Sequence, residues 1–131
     1  MGKTTKFAVG VLVILLLGVF LIAKGLESNM HKLEALEMTD VDLAGIADGT
    51  YVGSYKLFPV SVVVEVAIED HELAGIRIIE HRHGRGKAAE AVVDRVLKAQ
   101  ALQVDSVSGA TYSSLVILKA IDHALAGAQP Q

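Results

Sequence analysis

The chain has 131 residues, a net charge of −3 and no cysteine. The absence of cysteine excludes disulfide bonds, thiolate metal sites and a cysteine nucleophile. The acidic balance and the lack of any long basic run argue against a nucleic-acid partner.

Residues 7–23 read FAVGVLVILLLGVFLIA and contain no charged or strongly polar side chain. The run lies at the short end of the roughly 17–25 residues that cross a bilayer. A cleaved signal peptide is the alternative, but its apolar core is shorter, about 7–15 residues, and the Ala-Lys-Gly sequence at 23–25 is a poor cleavage site. We therefore interpret residues 1–25 as an uncleaved signal anchor with a single transmembrane helix.

The charges around this run predict its orientation in the cell membrane. Lys3, Lys6 and the amino terminus precede it, and Lys24 follows it. Positive charge is retained on the cytoplasmic side, so the N-terminus is expected in the cytoplasm and the main domain outside it. Beyond residue 25 there are nine basic and fifteen acidic residues, a net charge of −6. Anionic headgroups repel such a domain, which is expected to stand off the bilayer.

A second helical pattern follows the apolar run, over residues 26–40. Leu26, Met30 and Leu33 recur at near-helical spacing, and charged residues fill the other faces. This segment either continues the span as a juxtamembrane helix or forms a stalk.

Residues 41–127 are predicted to form one domain, followed by a tail at 128–131. Val41, Leu43 and Ile46 lie in a connector and are expected to contact the domain. Three strands with a period of two follow, over residues 49–55, 58–69 and 73–80, with a hairpin turn at 70–72. The second strand has one apolar face, which is expected to be buried and consists of Val60, Val62, Val64, Val66 and Ile68. The strands form an antiparallel meander.

Two amphipathic helices complete the domain after a loop at 81–87. The first covers residues 88–102, and its expected buried face consists of Ala88, Ala91, Val92, Val96 and Ala99. The second covers residues 112–126 and is expected to end at Gly127. The predicted fold class is therefore α+β, with an N-terminal transmembrane helix and then a small antiparallel sheet packed with two helices.

The stretch DSVSGATYSS at residues 105–114 lies between these two helices. Glycine gives the backbone the freedom to turn, and a serine or threonine hydroxyl caps the first N–H groups of many helices. The start of a helix also attracts anions, because its N–H groups and its dipole both point at the incoming charge. Residue chemistry alone leaves two interpretations open: a capped helix after a turn, or a phosphate site.

The spacing of the polar residues gives little support to a hydrolytic active site or to a metal site. A hydroxyl nucleophile at Thr111 or Ser108 needs a base, and His123 lies about three turns away on the last helix. His81 and His83 would share one face of a strand that extended so far, but spacing fixes no further metal ligand, and a solvated loop explains both. We predict no catalytic residue and no metal ligand.

The motif DxxSGAT at residues 105–111 resembles the flavinylation motif of the FMN-binding domain family. That family includes flavin-carrying subunits of two membrane assemblies, the sodium-translocating NADH:quinone reductase and the Rnf complex. The similarity extends to the strand DGTYxG at 48–53, to the hairpin, and to His81 with the glycine-containing loop after it. It covers about residues 41–126.

The resemblance implies that a flavin transferase moves FMN from FAD onto the hydroxyl of Thr111 as a phosphoester. It also implies cofactor contacts from the rest of the motif, from the opening strand and from the histidine after the hairpin. The implied cofactor-binding residues are Thr111, Ser108, Gly109, Ala110, Asp105, Ser113, Ser114, Tyr51 and His81.

The resemblance implies a membrane-anchored, extracytoplasmic flavoprotein that transfers electrons. It favours an electron carrier over a stand-alone enzyme. Expected partners are the FAD:protein FMN transferase, the membrane, and redox proteins or subunits of a membrane redox complex. A non-covalent FMN-binding module and a structural accessory subunit are the alternatives. The family often has an acidic-Thr-Pro-Gly run after the histidine. This chain instead has Arg82 and Arg85 there, and their positive charge is expected to stabilise reduced flavin.

Overall fold

The computed structural model describes residues 2–36, 38, 41–82 and 86–129. The chain divides into two compact units, residues 1–32 and residues 33–131. The first unit is helical, and the second contains the sheet and the remaining helices.

Helix α1 (Lys3–Ala35) runs without a break through 33 residues. No proline interrupts it, and leucine, valine and isoleucine dominate its N-terminal part. It is long and apolar enough to cross a membrane, with a mean hydropathy of 2.7 over its apolar window. By length and composition it fits a membrane span or a signal sequence. The predicted juxtamembrane helix is the continuation of this helix.

A three-stranded antiparallel sheet forms the centre of the second unit. Strands β1 (Gly49–Leu57), β2 (Val60–Glu69) and β3 (Glu72–Arg82) lie side by side in that order. Burial alternates along β2, because successive side chains point to opposite faces of a sheet. All the predicted inner residues of β2 are buried, which confirms the meander and its apolar face.

Strand β3 is longer than predicted and reaches Arg82, so the predicted loop at 81–87 begins within the sheet. Two shifts in its register with β2 leave Ala74 and Ile79 outside the regular pairing. An extra residue of this kind reverses the face that the following side chains take. The two bulges therefore let Leu73, Ile76 and His81 all pair with inner residues of β2 despite their odd spacing.

The predicted helix at 88–102 is in fact a 3₁₀ turn (Lys87–Ala91) followed by the shorter helix α2 (Val92–Ala99). Gln100 ends α2 in a left-handed conformation, with φ of 51°. A 3₁₀ turn has about three residues per turn, which shifts the buried face relative to an α-helix. The buried residues are Ala89, Val92, Val93 and Val96. The prediction was therefore wrong for Ala88, Ala91 and Ala99, which are exposed.

Helix α3 (Thr111–Ala128) packs against β1 and β2. It continues one residue past Gly127, its predicted end. Its approach to β1 is close at Gly53, where a Cβ atom would lie 2.2 Å from the oxygen of Ala120 and 2.4 Å from the nitrogen of Ala124. Any side chain at Gly53 would push the helix away, so this glycine sets how closely α3 lies on the sheet.

The segment before β1 packs on the same core. Val41 and Leu43 are half-buried against it and Ile46 is fully buried, as predicted. Leu33 is only 1% exposed, so the core extends back beyond residue 41, where the domain was predicted to begin. The long helix, the sheet and its packed helices together confirm the α+β fold class.

Candidate functional site

A tight turn at residues 107–110 immediately precedes α3. The N–H group of Ala110 donates to the carbonyl oxygen of Val107 at 2.9 Å, and Gly109 between them has a φ of 78°. Ser108, the second residue of the turn, is not at positive φ, and a positive φ at the third residue alone is typical of the type II turn, which favours glycine there. The motif's glycine is therefore explained by backbone geometry, and the predicted turn at Ser108, Gly109 and Ala110 is confirmed.

Thr111 is the first residue of α3 and is half-buried. The helix cap is Ala110, which makes no side-chain hydrogen bond to the helix, so no serine or threonine caps it. The first hydrogen bond of the helix runs from Ser114 N to Ala110 O at 3.0 Å. Backbone N–H groups before Ser114 point toward the start of the helix, on the side where the turn delivers Thr111.

Ser114 holds the turn from the inside. Its hydroxyl is fully buried, accepts a hydrogen bond from Val107 N at 3.0 Å and donates one to Ala110 O at 2.8 Å. One side chain therefore joins the first and last residues of the turn. Ser113 beside it is 6% exposed.

Arg95 holds the same segment from the outside. Its Nη1 atom donates to the carbonyl oxygens of Asp105 and Ser106, each at 2.8 Å. Asp105, Ser108 and Gly109 are exposed. The backbone of the motif is thus fixed by side chains from two helices, while these three residues remain accessible.

The start of α3 is also tied to the sheet. The hydroxyl of Tyr112 donates to Phe58 O at 2.6 Å, in the turn between β1 and β2. This contact locates the motif at the end of the sheet where β1 finishes and β2 begins. Phe58 is 69% exposed beside it.

His81 lies toward the same end of the sheet. It pairs with Val62 in the register of β2 and β3, and its side chain is only 2% exposed. Its Nδ1 atom lies 3.0 Å from Glu90 Oε1, and Lys87 Nζ donates to Glu90 Oε2 at 2.7 Å. These hydrogen bonds, chiefly the one from Lys87, hold the pKa of Glu90 below its usual value. A charged carboxylate therefore fixes the orientation of the His81 ring.

Tyr51 lies elsewhere. Its hydroxyl donates to Ala47 O at 2.7 Å, before β1 begins. Tyr51 lies six positions before Leu57 in β1, and at about 3.3 Å per residue that is roughly 20 Å of strand. The structure brings together the motif residues and places His81 toward their end of the sheet, but it does not bring Tyr51 there.

The family model of the FMN-binding domain matches residues 59–126, just over half of the chain. The chain belongs to the FMN-binding domain family. No curated protein matches it. The matched range runs from the start of β2 to α3 and includes the motif turn, Arg95 and His81.

The residues at the turn of this FMN-binding domain fit the phosphate end of FMN. The hydroxyls of Ser108 and Thr111 and the N–H groups at the start of α3 are donors of the kind that phosphate oxygens accept. A Cβ atom at Gly109 would have no neighbour within 4 Å, so the outer side of the turn is open to a ligand. No metal-binding group of three or more suitable side chains occurs among the described residues.

Sequence reasoning missed three features of the FMN-binding domain. The helical pattern predicts only that Arg95 faces outward, and it does not predict the contacts with residues 105–106. The motif includes Ser114 but does not indicate that its hydroxyl holds the turn. The pattern also assigns Glu90, the partner of His81, to the solvated face. Of the two arginines predicted to stabilise reduced flavin, Arg82 is exposed, and its Nε atom lies 2.7 Å from Glu80 Oε1. Arg82 pairs with Ser61, on the outer face of β2. Arg85 lies outside the described residues.

Proposed function

We propose that this FMN-binding domain carries FMN covalently on Thr111 and acts as an electron carrier. The supporting observation is the type II turn at residues 107–110, which delivers Thr111 as the first residue of α3. The linkage is a phosphoester between the threonine hydroxyl and the phosphate of FMN. It carries negative charge, which the N-terminus of a helix stabilises.

The chain's own residues bind and orient the cofactor in this proposal. Thr111 supplies the bond, Ser108 and the N–H groups of the first helical turn donate hydrogen bonds to phosphate oxygens, and Asp105 faces the transferase. Bound FMN supplies one- and two-electron transfer. The tether holds the phosphate end and leaves the ring available to redox partners, which suits a carrier or a subunit of a redox complex.

We further propose that α1 anchors the carrier in the cell membrane as a single span, with the domain outside the cytoplasm. Lys3 and Lys6 before the apolar run outnumber Lys24 after it, which favours a cytoplasmic N-terminus. Electron partners would then meet the domain on the outer side of the membrane.

The test is co-expression of the full chain with an FAD:protein FMN transferase, followed by a denaturing gel viewed under ultraviolet light. We expect a fluorescent band that Thr111→Ala abolishes and Thr50→Ala, which removes an exposed threonine on β1, leaves intact. A Thr111→Ala band that stays fluorescent would show that the attachment residue is different. Flavin that co-purifies but leaves on denaturation would indicate a non-covalent module, and no flavin at all a structural subunit.

The same fluorescent band reports the orientation. When protease is added to intact spheroplasts, a domain outside the cytoplasm loses its fluorescent band, because the enzyme reaches it. A band that survives in intact spheroplasts and disappears only after lysis would place the domain in the cytoplasm instead.

A further inference from the structure

We propose that Arg95 is a positioning residue for flavinylation, holding the backbone of residues 105–106 so that the turn presents Thr111 to the transferase. This inference rests on the proposed attachment of FMN to Thr111. Arg95 touches neither the hydroxyl nor the phosphate in this arrangement. It acts through the shape of the segment that carries them.

The contacts of Arg95 are directed at main-chain atoms. A single guanidinium nitrogen donates to two consecutive carbonyl oxygens, those of Asp105 and Ser106, each at 2.8 Å. Two consecutive carbonyls on one donor fix the direction of the chain at that point. The carboxylate of Asp105 remains exposed and accessible to another protein.

The path of the chain after α2 brings this segment to Arg95. Gln100 reverses the chain, and both the oxygen and the nitrogen of its side-chain amide make hydrogen bonds to the backbone. Its Oε1 accepts from Leu73 N at 2.7 Å, and its Nε2 donates to Leu73 O at 3.1 Å and to Leu97 O at 2.8 Å. Leu102 is then buried, at 3% exposed. Residues 105–106 consequently return beside the helix that carries Arg95.

Arg95 and Ser114 hold the motif at different points. Arg95 fixes residues 105–106 at its beginning, and Ser114 joins Val107 to Ala110 around the turn. Between these constraints Ser108 and Gly109 are exposed. The turn therefore has its shape before any partner binds, and loss of either constraint lowers the fraction of molecules with that shape.

The transfer reaction requires that shape. The Oγ atom of Thr111 forms a bond to the phosphorus on the FMN side of FAD, the phosphoanhydride bond of FAD breaks, and AMP leaves. The hydroxyl proton passes to a base of the transferase. No oxidation state changes. A loosened segment binds the transferase less well because only the ordered fraction is competent, so the expected defect is in KM.

The test compares Arg95→Ala with Arg77→Ala in the full chain in detergent, with saturating FAD and a purified transferase. Arg77 is a matched control, because it also makes two hydrogen bonds, both to Glu65, on the outer face of the sheet. We expect Arg95→Ala to raise KM for flavinylation about tenfold and to change kcat less than about twofold. Arg95→Lys, which keeps the charge but replaces the planar, preorganised guanidinium with a flexible ammonium group, is expected to raise KM about threefold. Arg77→Ala should match wild type.

Amide hydrogen exchange of the unflavinylated protein supplies an independent measurement. Arg95→Ala should speed exchange at Val107 and Ala110 and leave Val64 in the centre of β2 unchanged. Equal acceleration at all three amides would indicate a general loss of stability and would overturn the proposal, as would an Arg95→Ala protein that matches Arg77→Ala in KM and exchange. If wild type takes up no flavin, the attachment at Thr111 fails and the role in flavinylation fails with it, while the exchange measurement still decides whether Arg95 orders the turn.

Discussion

Two turns of this domain reverse the chain in different ways. The hairpin turn between β2 and β3 places two consecutive non-glycine residues, Asp70 and His71, at φ values of 51° and 63°. In the turn before α3 the residue at positive φ is Gly109. Side chains are strained in the left-handed region and glycine is not. The hairpin turn therefore contains local strain that the motif turn avoids.

The two turns also differ in what holds them. His71 contributes a ring nitrogen 3.2 Å from Ile46 O, whereas the motif turn and the segment before it are bound by Arg95 from α2 and Ser114 from α3. A hairpin turn needs only to connect two paired strands, and the pairing of the strands supplies its geometry. The motif turn has no such pairing, so side chains from the two flanking helices supply its geometry. Constraint of this kind is expected where a turn must present a reactive hydroxyl.

Among the substitutions that test this comparison of the two turns, Ser114→Ala is expected to change the free energy of unfolding most. The substitution leaves Val107 N–H without its acceptor and removes the bond to Ala110 O, so the free energy of unfolding should fall by about 2 kcal/mol. Flavinylation of Thr111 should slow at the same time. Thermal unfolding in detergent measures the first effect. Ser61→Ala, on the outer face of β2, is the control, and a Ser114→Ala protein as stable as that control would contradict the role given to the buried hydroxyl.

Gly109→Ala separates backbone strain from packing. The new methyl group meets no atom within 4 Å, so the expected loss of about 1 kcal/mol comes only from the positive φ of the turn. Gly75→Ala is the matched control, because a Cβ atom there also meets nothing within 4 Å and its φ is not positive. Chemical unfolding curves of the two variants give the difference. Equal stabilities would mean that the turn relaxes into another shape at no cost.

Local patterns predicted those parts of the molecule that depend on local physics. The alternation along β2 follows from the period of a strand, and the turn at Ser108–Ala110 follows from the need for glycine at positive φ. The bulges at Ala74 and Ile79 and the 3₁₀ turn before α2 changed which side chains are buried, and a fixed period cannot anticipate such shifts. Arg95 and Glu90 were missed because their partners lie elsewhere in the chain, and no periodicity encodes a contact that only the folded chain makes.

His71→Gly should have the smallest effect, and it acts in the opposite direction. Glycine removes the strain of a side chain at φ of 63° in a hairpin turn, which stabilises the fold. The loss of the contact with Ile46 O offsets part of that gain, so we expect a net increase of about 0.5 kcal/mol in the free energy of unfolding. Because the hairpin turn lies at the other end of the sheet from Thr111, flavinylation should be unchanged. Unfolding curves and the fluorescent-gel assay measure the two quantities, and slower flavinylation in this variant would show that the two turns are coupled.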